Sequence, residues 1–209
     1  MRASATRLLL VVALVFSHAG CGALARVQEP AFAIRAKDGD FELRHYDERV
    51  VATTRVEGEW SRAGSEGFRR LAGYIFGKNR RATSIAMTAP VGQRQEIPMT
   101  APVGQRREGN VWLVTFTMPA GSTLESLPTP EDPRVVLERL PPLDVAVVRF
   151  SGFWTVANVN EQTAALRAWV ASRGLETAGE PEVNRFDPPF KPWFLRRNEV
   201  WLPLVATSR

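Results

Sequence analysis

The stretch that decides the fold occurs twice in this chain, as LRHYDERVVATTRVEGEW (Leu43 to Trp60) and as LERLPPLDVAVVRFSGFW (Leu137 to Trp154). The two copies align without a gap at an offset of 94 residues and share six identical positions. Each copy alternates apolar and polar residues on both sides of a turn, at Asp47-Glu48 and at Pro141-Pro142. A period of two residues indicates strands, so each copy predicts a pair of strands.

A helix and a further strand follow each copy. The first helix is predicted from Trp60 to Ile75, and VNEQTAALRAWVASRG, which ends at Gly174, predicts the second. A strand that carries Val-Trp-Leu completes each half, at Val111 to Leu113 and at Val200 to Leu202. The sequence therefore predicts an α+β fold of two pseudo-repeated ββαβ-like halves. Neither half can cover its own sheet, so together they should form a distorted antiparallel β-barrel or curved sheet with two flanking helices.

A shorter repeat lies between the two copies, because MTAPVGQR at Met87 to Arg94 recurs unchanged at Met99 to Arg106. Twelve residues are too few for a solenoid repeat, and Pro90 and Pro102 exclude a helix interior or a central strand. We predict two edge segments joined by a turn, which would offer both methionines to one surface. The alternative is that the methionines are flexible fillers of the core.

Composition and motifs restrict the function. The chain has 209 residues, of which 44% are hydrophobic and 23% are charged, so it can bury a sizeable core. Its net charge of +5 is too small to indicate a nucleic-acid partner. The sequence contains no G-x-S-x-G, H-E-x-x-H, C-x-x-C or phosphate-binding glycine loop, so we predict that it is not an enzyme. An acid–base enzyme that uses Glu or Asp stays open as an alternative.

Residues 1–25 are predicted to be a leader. The basic MRASATR precedes an apolar run of nine residues, Leu8 to Phe16, which is too short to span a bilayer and is typical of a secretory signal. HAGC places Cys21 where a bacterial lipoprotein is acylated, although His18 replaces the usual aliphatic residue. ALA, at Ala23 to Ala25, is an alternative cleavage site, and an uncleaved anchor is a third possibility. We predict export to the bacterial periplasm or envelope, with membrane attachment only through a lipid on Cys21.

Seven segments resemble the SOUL family of heme-binding proteins, in order and at natural spacing. They are ELRHYDERVVATT, GFRRLAGYIFGKN, IAMTAPV, VTFTMP, LPTPEDPRV, VAVVRFSG and FDPPFKPWFLRRNEVWLPL. On this resemblance we identify residues 26–209 as a single SOUL-like heme-binding domain. The resemblance implies a distorted barrel of eight or so strands with two helices. It also implies reversible, non-covalent binding of heme or another tetrapyrrole in a hydrophobic groove beside the first helix, for buffering, transport or sequestration.

The resemblance also directs attention to particular residues. The groove is predicted to be lined by Phe68, Leu71, Tyr74, Ile75, Met87 and Met99. Heme propionates need cations, and the basic cluster that could supply them comprises Arg69, Arg70, Lys78 and Arg81. The alternative is that these cations are solvated and interact favourably with the C-terminal end of the helix dipole.

His45 is the candidate axial ligand, because it is the only histidine outside the leader. It shares a strand face with Phe41 and Leu43, so a packed or half-exposed strand histidine is the alternative. The single cysteine excludes an intramolecular disulfide. Two further functions remain possible, namely an enzyme that acts on a tetrapyrrole or another small apolar ligand, and a protein-interaction module without a cofactor. The sequence predicts no oligomeric state.

Overall fold

The computed structural model describes residues 28–80, 95 and 97–206. Within these residues the chain forms strands and two α-helices. The strands are β1 (Phe32–Asp38), β2 (Phe41–Tyr46), β3 (Arg49–Glu57), β4 (Asn79–Arg80), β5 (Val103–Glu108), β6 (Val111–Thr117), β7 (Thr129–Pro130), β8 (Val136–Leu140), β9 (Leu143–Phe150), β10 (Glu182–Arg185) and β11 (Asn198–Pro203). The helices are α1 (Trp60–Ile75) and α2 (Val156–Ser172), and a short 3₁₀ turn spans Trp193–Leu195.

Nine of these strands form one antiparallel sheet, which curls into a half-barrel. Their order is β1-β2-β9-β11-β10-β5-β6-β3-β8, while β4 and β7 pair separately. Helix α1 packs against β3 and β6, and α2 packs against β9 and β11. The structure confirms the predicted α+β fold, a curved antiparallel sheet with two flanking helices.

The two halves interlock by exchanging their first strands. Strand β2 of the first half pairs with β9 of the second, with Phe41 opposite Val148. Strand β8 of the second half pairs with β3 of the first, with Leu140 opposite Arg49. The order β2-β9-β11-β10 therefore mirrors β8-β3-β6-β5. Each half completes its sheet only with a strand from the other, so the two strands on either side of each predicted turn do not form a hairpin.

Strand β2 shows how the sheet divides its two faces. Phe41 and Leu43 pack into the core beneath α2, where Phe41 stacks on Trp169 with ring centroids 5.3 Å apart. The alternate residues Arg44 and Tyr46 are buried on the opposite face, which we call the inner face of the half-barrel. Because the sheet curls around this face, charged residues such as Arg44 and Glu199 are removed from water.

Helix α1 has the bounds that the sequence predicts. Gly77 follows it with a φ of 102°, which glycine adopts without strain and which ends the helix. The buried side of α1 lies close to the sheet, because a Cβ on Gly67 would approach within 2.6 Å of the Cβ of Val114 on β6. Gly67 therefore permits close packing of α1 on the sheet.

Two expectations about local structure were wrong, and one strand was not predicted. The second octamer copy is not an edge segment, because β5 lies between β10 and β6 in the sheet. Pro102 precedes β5, so its missing N–H does not interrupt the ladder. Strand β10 was not predicted, because the prolines around it obscure a strand of four residues. Helix α2 begins at Val156, three residues before the predicted start, and Thr155 caps it. The first copy, Met87 to Arg94, lies outside the described residues.

Candidate functional site

The outer side of α1 carries exposed aromatic residues, although the Phe68 ring also contacts the buried ring of Phe116, with centroids 5.5 Å apart. Phe68 is 41% exposed and Phe76 is 58% exposed, although residues of this size are usually buried. With Ala72 between them they are spaced by four residues, and such residues follow one another along a single helix face. We call Phe68, Ala72 and Phe76 the α1 ridge. At 1.5 Å per residue the ridge is about 12 Å long.

Two cations lie beside the α1 ridge. Arg69 has 73% of its side chain exposed and forms an ion pair with Glu66. The stem of Lys78 folds back over the helix, since a Cβ on Gly73 would lie 3.2 Å from Cδ of Lys78. Arg69 and Gly73 are four residues apart and form the row next to the ridge. The outer side of α1 is therefore an apolar strip with positive charge along one edge.

Arg70 lines the same charged groove as Arg69 but is more buried. Only 15% of its side chain is exposed, and its Nε donates to Oε1 of Glu66 at 3.0 Å. Its Nη1 donates to the carbonyl oxygen of Arg55 at 3.0 Å, which fastens α1 to β3. The groove on this side has a volume of about 850 Å³ and is charged, with Arg62 and Arg134 among its lining residues. Arg70 therefore has a structural role in addition to any role in binding anions.

The remaining groove candidates on α1 are core residues. Leu71, Tyr74 and Ile75 are at most 1% exposed and pack against β3 and β6. The hydroxyl of Tyr74 donates to the carbonyl oxygen of Pro128 at 2.9 Å, and burial raises its pKa to about 12. Met99 is partly buried against the same core. These residues pack α1 onto the sheet and do not belong to the α1 ridge.

Met87 and Arg81 lie outside the described residues, and so does Cys21. Their predicted roles in the groove, in propionate binding and in lipidation therefore stay predictions.

His45 belongs to another part of the sheet. Its strand, β2, pairs with β1 and β9, whereas α1 packs against β3 and β6. The Nδ1 atom lies 2.8 Å from Oδ1 of Asp144, and Nε2 lies 3.8 Å from Oδ1 of Asp47. A carboxylate on one ring nitrogen is also the usual support for a histidine that binds metal through the other. The structure does not bring His45 together with the α1 ridge, and its role as an axial ligand stays a prediction.

Among residues 28–80, 95 and 97–206, no three side chains of His, Cys, Asp or Glu gather in a way that could hold a metal ion. Over the same part of the chain, neither helix has the length and apolar character needed to cross a bilayer.

Sequence reasoning missed Phe76. The signal was present, because Phe68, Ala72 and Phe76 repeat at the helical interval of four residues. Phe76 was overlooked because it caps the C-terminus of α1, next to the Gly77 that ends the helix. The two cations that flank the ridge, Arg69 and Lys78, were among the predicted residues.

Comparison with known proteins places the chain in a family. A family model described as SOUL heme-binding protein matches residues 27–203. Heme-binding protein 2 of Mus musculus is 30% identical over 177 residues, which cover 81% of this chain and 80% of that protein. Heme-binding protein 1 of Xenopus laevis is 29% identical over 167 residues, which cover 79% of this chain and 84% of that protein.

Two solved structures share the fold at low sequence identity. The C-terminal domain of EcmrR has a TM-score of 0.52 at 14% identity and covers 80% of this chain and 98% of that chain. A hydrolase from Listeria innocua has a TM-score of 0.53 at 14% identity and covers 82% of this chain and 94% of that chain. These likenesses concern the fold alone. The match over residues 27–203 shows that the chain belongs to the SOUL heme-binding protein family.

Proposed function

We propose that this protein binds heme or a related tetrapyrrole reversibly on the outer side of α1. The observation that carries the proposal is the α1 ridge, an exposed apolar strip about 12 Å long with Arg69 and Lys78 along one edge. A porphyrin is a flat apolar ring with carboxylates on one side, so its ring and its charges match this arrangement. The relatives named heme-binding proteins support the same ligand class.

Apolar contact rather than iron ligation should dominate the affinity. Helix α1 contains no histidine or cysteine, and His45 lies on a strand that α1 does not cover. The rings of Phe68 and Phe76 are already half exposed to water, and covering them with a porphyrin removes apolar surface from water. Hemin and metal-free protoporphyrin should therefore bind with similar affinity. Such a site suits buffering, transport or sequestration, and it requires no catalytic group.

The double variant Phe68→Ala/Phe76→Ala should weaken hemin binding by roughly tenfold or more. Each lost ring removes about 1–2 kcal/mol of apolar contact, and 1.4 kcal/mol is a factor of ten in affinity. The measurement is a titration of the purified chain with hemin, followed by Soret absorbance. Metal-free protoporphyrin and a His45→Ala variant are titrated in parallel, and both should behave like the wild type with hemin.

Two matched variants control for general effects of the substitutions. Phe190 is 86% exposed in the proline-rich loop, so Phe190→Ala removes an exposed ring elsewhere and should leave binding unchanged. Arg69→Ala should weaken binding several-fold through lost contact with a propionate, whereas Arg35→Ala on β1 should not. A linear rise in absorbance without saturation would refute the proposal, as would equal losses in the Phe190 variant and the ridge variant.

The sequence of residues 1–25 supports a second part of the proposal, which is export to a bacterial envelope and attachment through a lipid on Cys21. Expression of the full chain in a bacterium should yield a membrane-associated protein that begins at Cys21 and carries added acyl mass. Cys21→Ser should remove the acyl mass and release the protein, as intact-mass spectrometry of both forms would show. A soluble exported form that begins at Arg26 would contradict the anchor. An unprocessed chain of 23.2 kDa in the cytoplasm would contradict export as well.

A further inference from the structure

The inner face of the half-barrel encloses a cleft on the side of the sheet opposite the helices. A narrow interior of about 70 Å³ joins a mouth of about 460 Å³, which is within the usual range of small-molecule sites. The two parts share six lining residues, which are Arg49, Arg106, Glu108, Leu140, Glu182 and Trp201. None of these residues belongs to the α1 ridge, so the cleft lies outside the proposed tetrapyrrole site.

Arg49 has an unused hydrogen-bond donor in this cleft. Its Nη1 atom is buried and has no hydrogen-bond partner among the residues that the structure describes. The guanidinium carbon lies 5.2 Å from the centre of the Tyr46 ring, so an aromatic face supports the cation without satisfying its N–H groups. Buried donors in folded proteins are almost always paired. An acceptor supplied by a ligand would satisfy Arg49.

Glu182 lies in the same cleft, and its carboxylate occupies space that a glycine leaves free. Its carboxylate lies against Gly104, and a Cβ at that position would collide with Oε1 of Glu182. Burial raises the pKa of the Glu182 carboxyl, although the nearby Arg106 and Arg49 oppose this rise. A raised pKa shifts this carboxyl toward its neutral form, which repels an anion bound to Arg49 less than the charged form does.

Several of the other charged groups that line the cleft have protein partners, and the carboxylate of Glu180 at the mouth is exposed to solvent. Glu108 accepts from Nε of Arg55 at 2.6 Å and lies 3.6 Å from Nη2 of Arg106. Glu138 accepts a hydrogen bond from the hydroxyl of Thr53 at 2.9 Å. Arg107, at the mouth, donates to a backbone oxygen at 2.8 Å. Among the described residues that line the cleft, Arg49 is thus the cation whose buried donor lacks a partner.

Apolar residues cover the wall of the mouth. They are Leu140, Pro141, Leu143, Val145, Trp201 and Pro203. We infer that the cleft binds a small monocarboxylate with a short hydrocarbon body, whose carboxylate pairs with Arg49 and whose body lies against this wall. A guanidinium binds a carboxylate through two parallel hydrogen bonds, so it would select an acid over an amide or an amine of the same length.

Hexanoate, hexanamide and hexylamine are suitable probes, titrated into the ¹⁵N-labelled full chain. Hexanoate should bind saturably and shift the amide signals of Gly104, Ala178 and Gly179, which line the cleft. Hexanamide and hexylamine should each bind at least tenfold more weakly. This comparison uses the wild-type chain, so it does not depend on how a variant folds. Hexylamine binding as tightly as hexanoate, or shifts centred on α1, would overturn the assignment.

Two arginine variants locate the carboxylate. Arg49→Gln should weaken hexanoate binding by about tenfold or more, because it removes the charged fork. Arg107→Gln changes an arginine at the mouth that already donates a hydrogen bond to a backbone oxygen. Hexanoate affinity should therefore stay within about twofold of wild type. Equal losses in the two variants would overturn the role of Arg49. Loss of hexanoate binding when the α1 ridge is saturated with hemin would show that the two sites are one.

Discussion

Replacing Glu199 with alanine is expected to lower the free energy of unfolding by about 3–5 kcal/mol. Glu199 is fully buried on the inner face, and its carboxylate accepts from Nη1 and Nη2 of Arg44 at 2.8 and 3.0 Å. The indole of Trp201 and the guanidinium of Arg197 donate to the same carboxylate at 2.7 and 2.8 Å. Among the described residues, removing Glu199 leaves the buried charge of Arg44 with Glu42 as its remaining ion-pair partner. An undercompensated buried charge is strongly unfavourable.

Urea denaturation of the wild type and the Glu199→Ala variant, followed by circular dichroism, measures this effect. Glu108→Ala is the control, because Glu108 pairs with Arg55 where both side chains are at least 39% exposed. An exposed pair contributes about 0–1 kcal/mol, so the control should unfold near the wild-type midpoint. Similar losses in the two variants would show that burial does not determine the strength of this network.

Gly67→Ala should destabilise the protein by about 1–3 kcal/mol, although alanine is the better helix former. The new Cβ would lie 2.6 Å from the branching carbon of Val114, which belongs to a central strand and is fully buried. The helix cannot move away from this strand without opening the core around Leu71. The midpoint of thermal unfolding should therefore fall by several degrees.

Gly73→Ala in the same helix is the matched control. Its Cβ would meet only the flexible stem of Lys78, which can move away into solvent. The gain in helix propensity should then dominate, so the variant should be as stable as the wild type or up to about 1 kcal/mol more stable. If Gly67→Ala were also neutral or stabilising, the close packing of α1 on β6 would be contradicted.

The long repeat was the feature of the sequence that best predicted the strands. A gapless alignment of two 18-residue stretches predicted the strand pairs, and the structure places them at β2–β3 and β8–β9. The sequence did not show that β2 pairs with β9 and β8 with β3, because each pairing joins residues about a hundred positions apart. Gly67 illustrates the same limit. From the sequence alone, a glycine within a helix is expected to destabilise the helix. Its role in close packing is seen only once its neighbour Val114 is known.

The burial of charged residues on the inner face could not be predicted from the sequence, for a physical reason. Alternation in β2 separates Phe41 and Leu43 from Glu42 and Arg44, and a charged row is ordinarily expected to face water. Here the curl of the sheet covers that row, and Glu199, 155 positions away, supplies the counter-charge. Predicting the Arg49 cleft would have required the same knowledge of curvature.

The outer side of α1 was partly predictable. Helical spacing identified the helix, and charge identified Arg69 and Lys78. Spacing alone cannot tell which apolar residues stay outside, so Leu71, Tyr74 and Ile75 were assigned to the groove although they are buried. Only the packing of α1 on β3 and β6 separates these residues from the exposed rings of Phe68 and Phe76.

The most direct test of the proposed function is a ¹H–¹⁵N spectrum of the full chain recorded with and without hemin. The unpaired electrons of the iron broaden amide signals close to the bound ring, so the spectrum locates the ligand without assuming an axial residue. Binding on the α1 ridge predicts that broadening is centred on residues 68 to 78 and leaves Gly104 and Gly179 of the inner cleft sharp. Broadening centred on the cleft, or spread evenly over the surface, would contradict the tetrapyrrole site on α1.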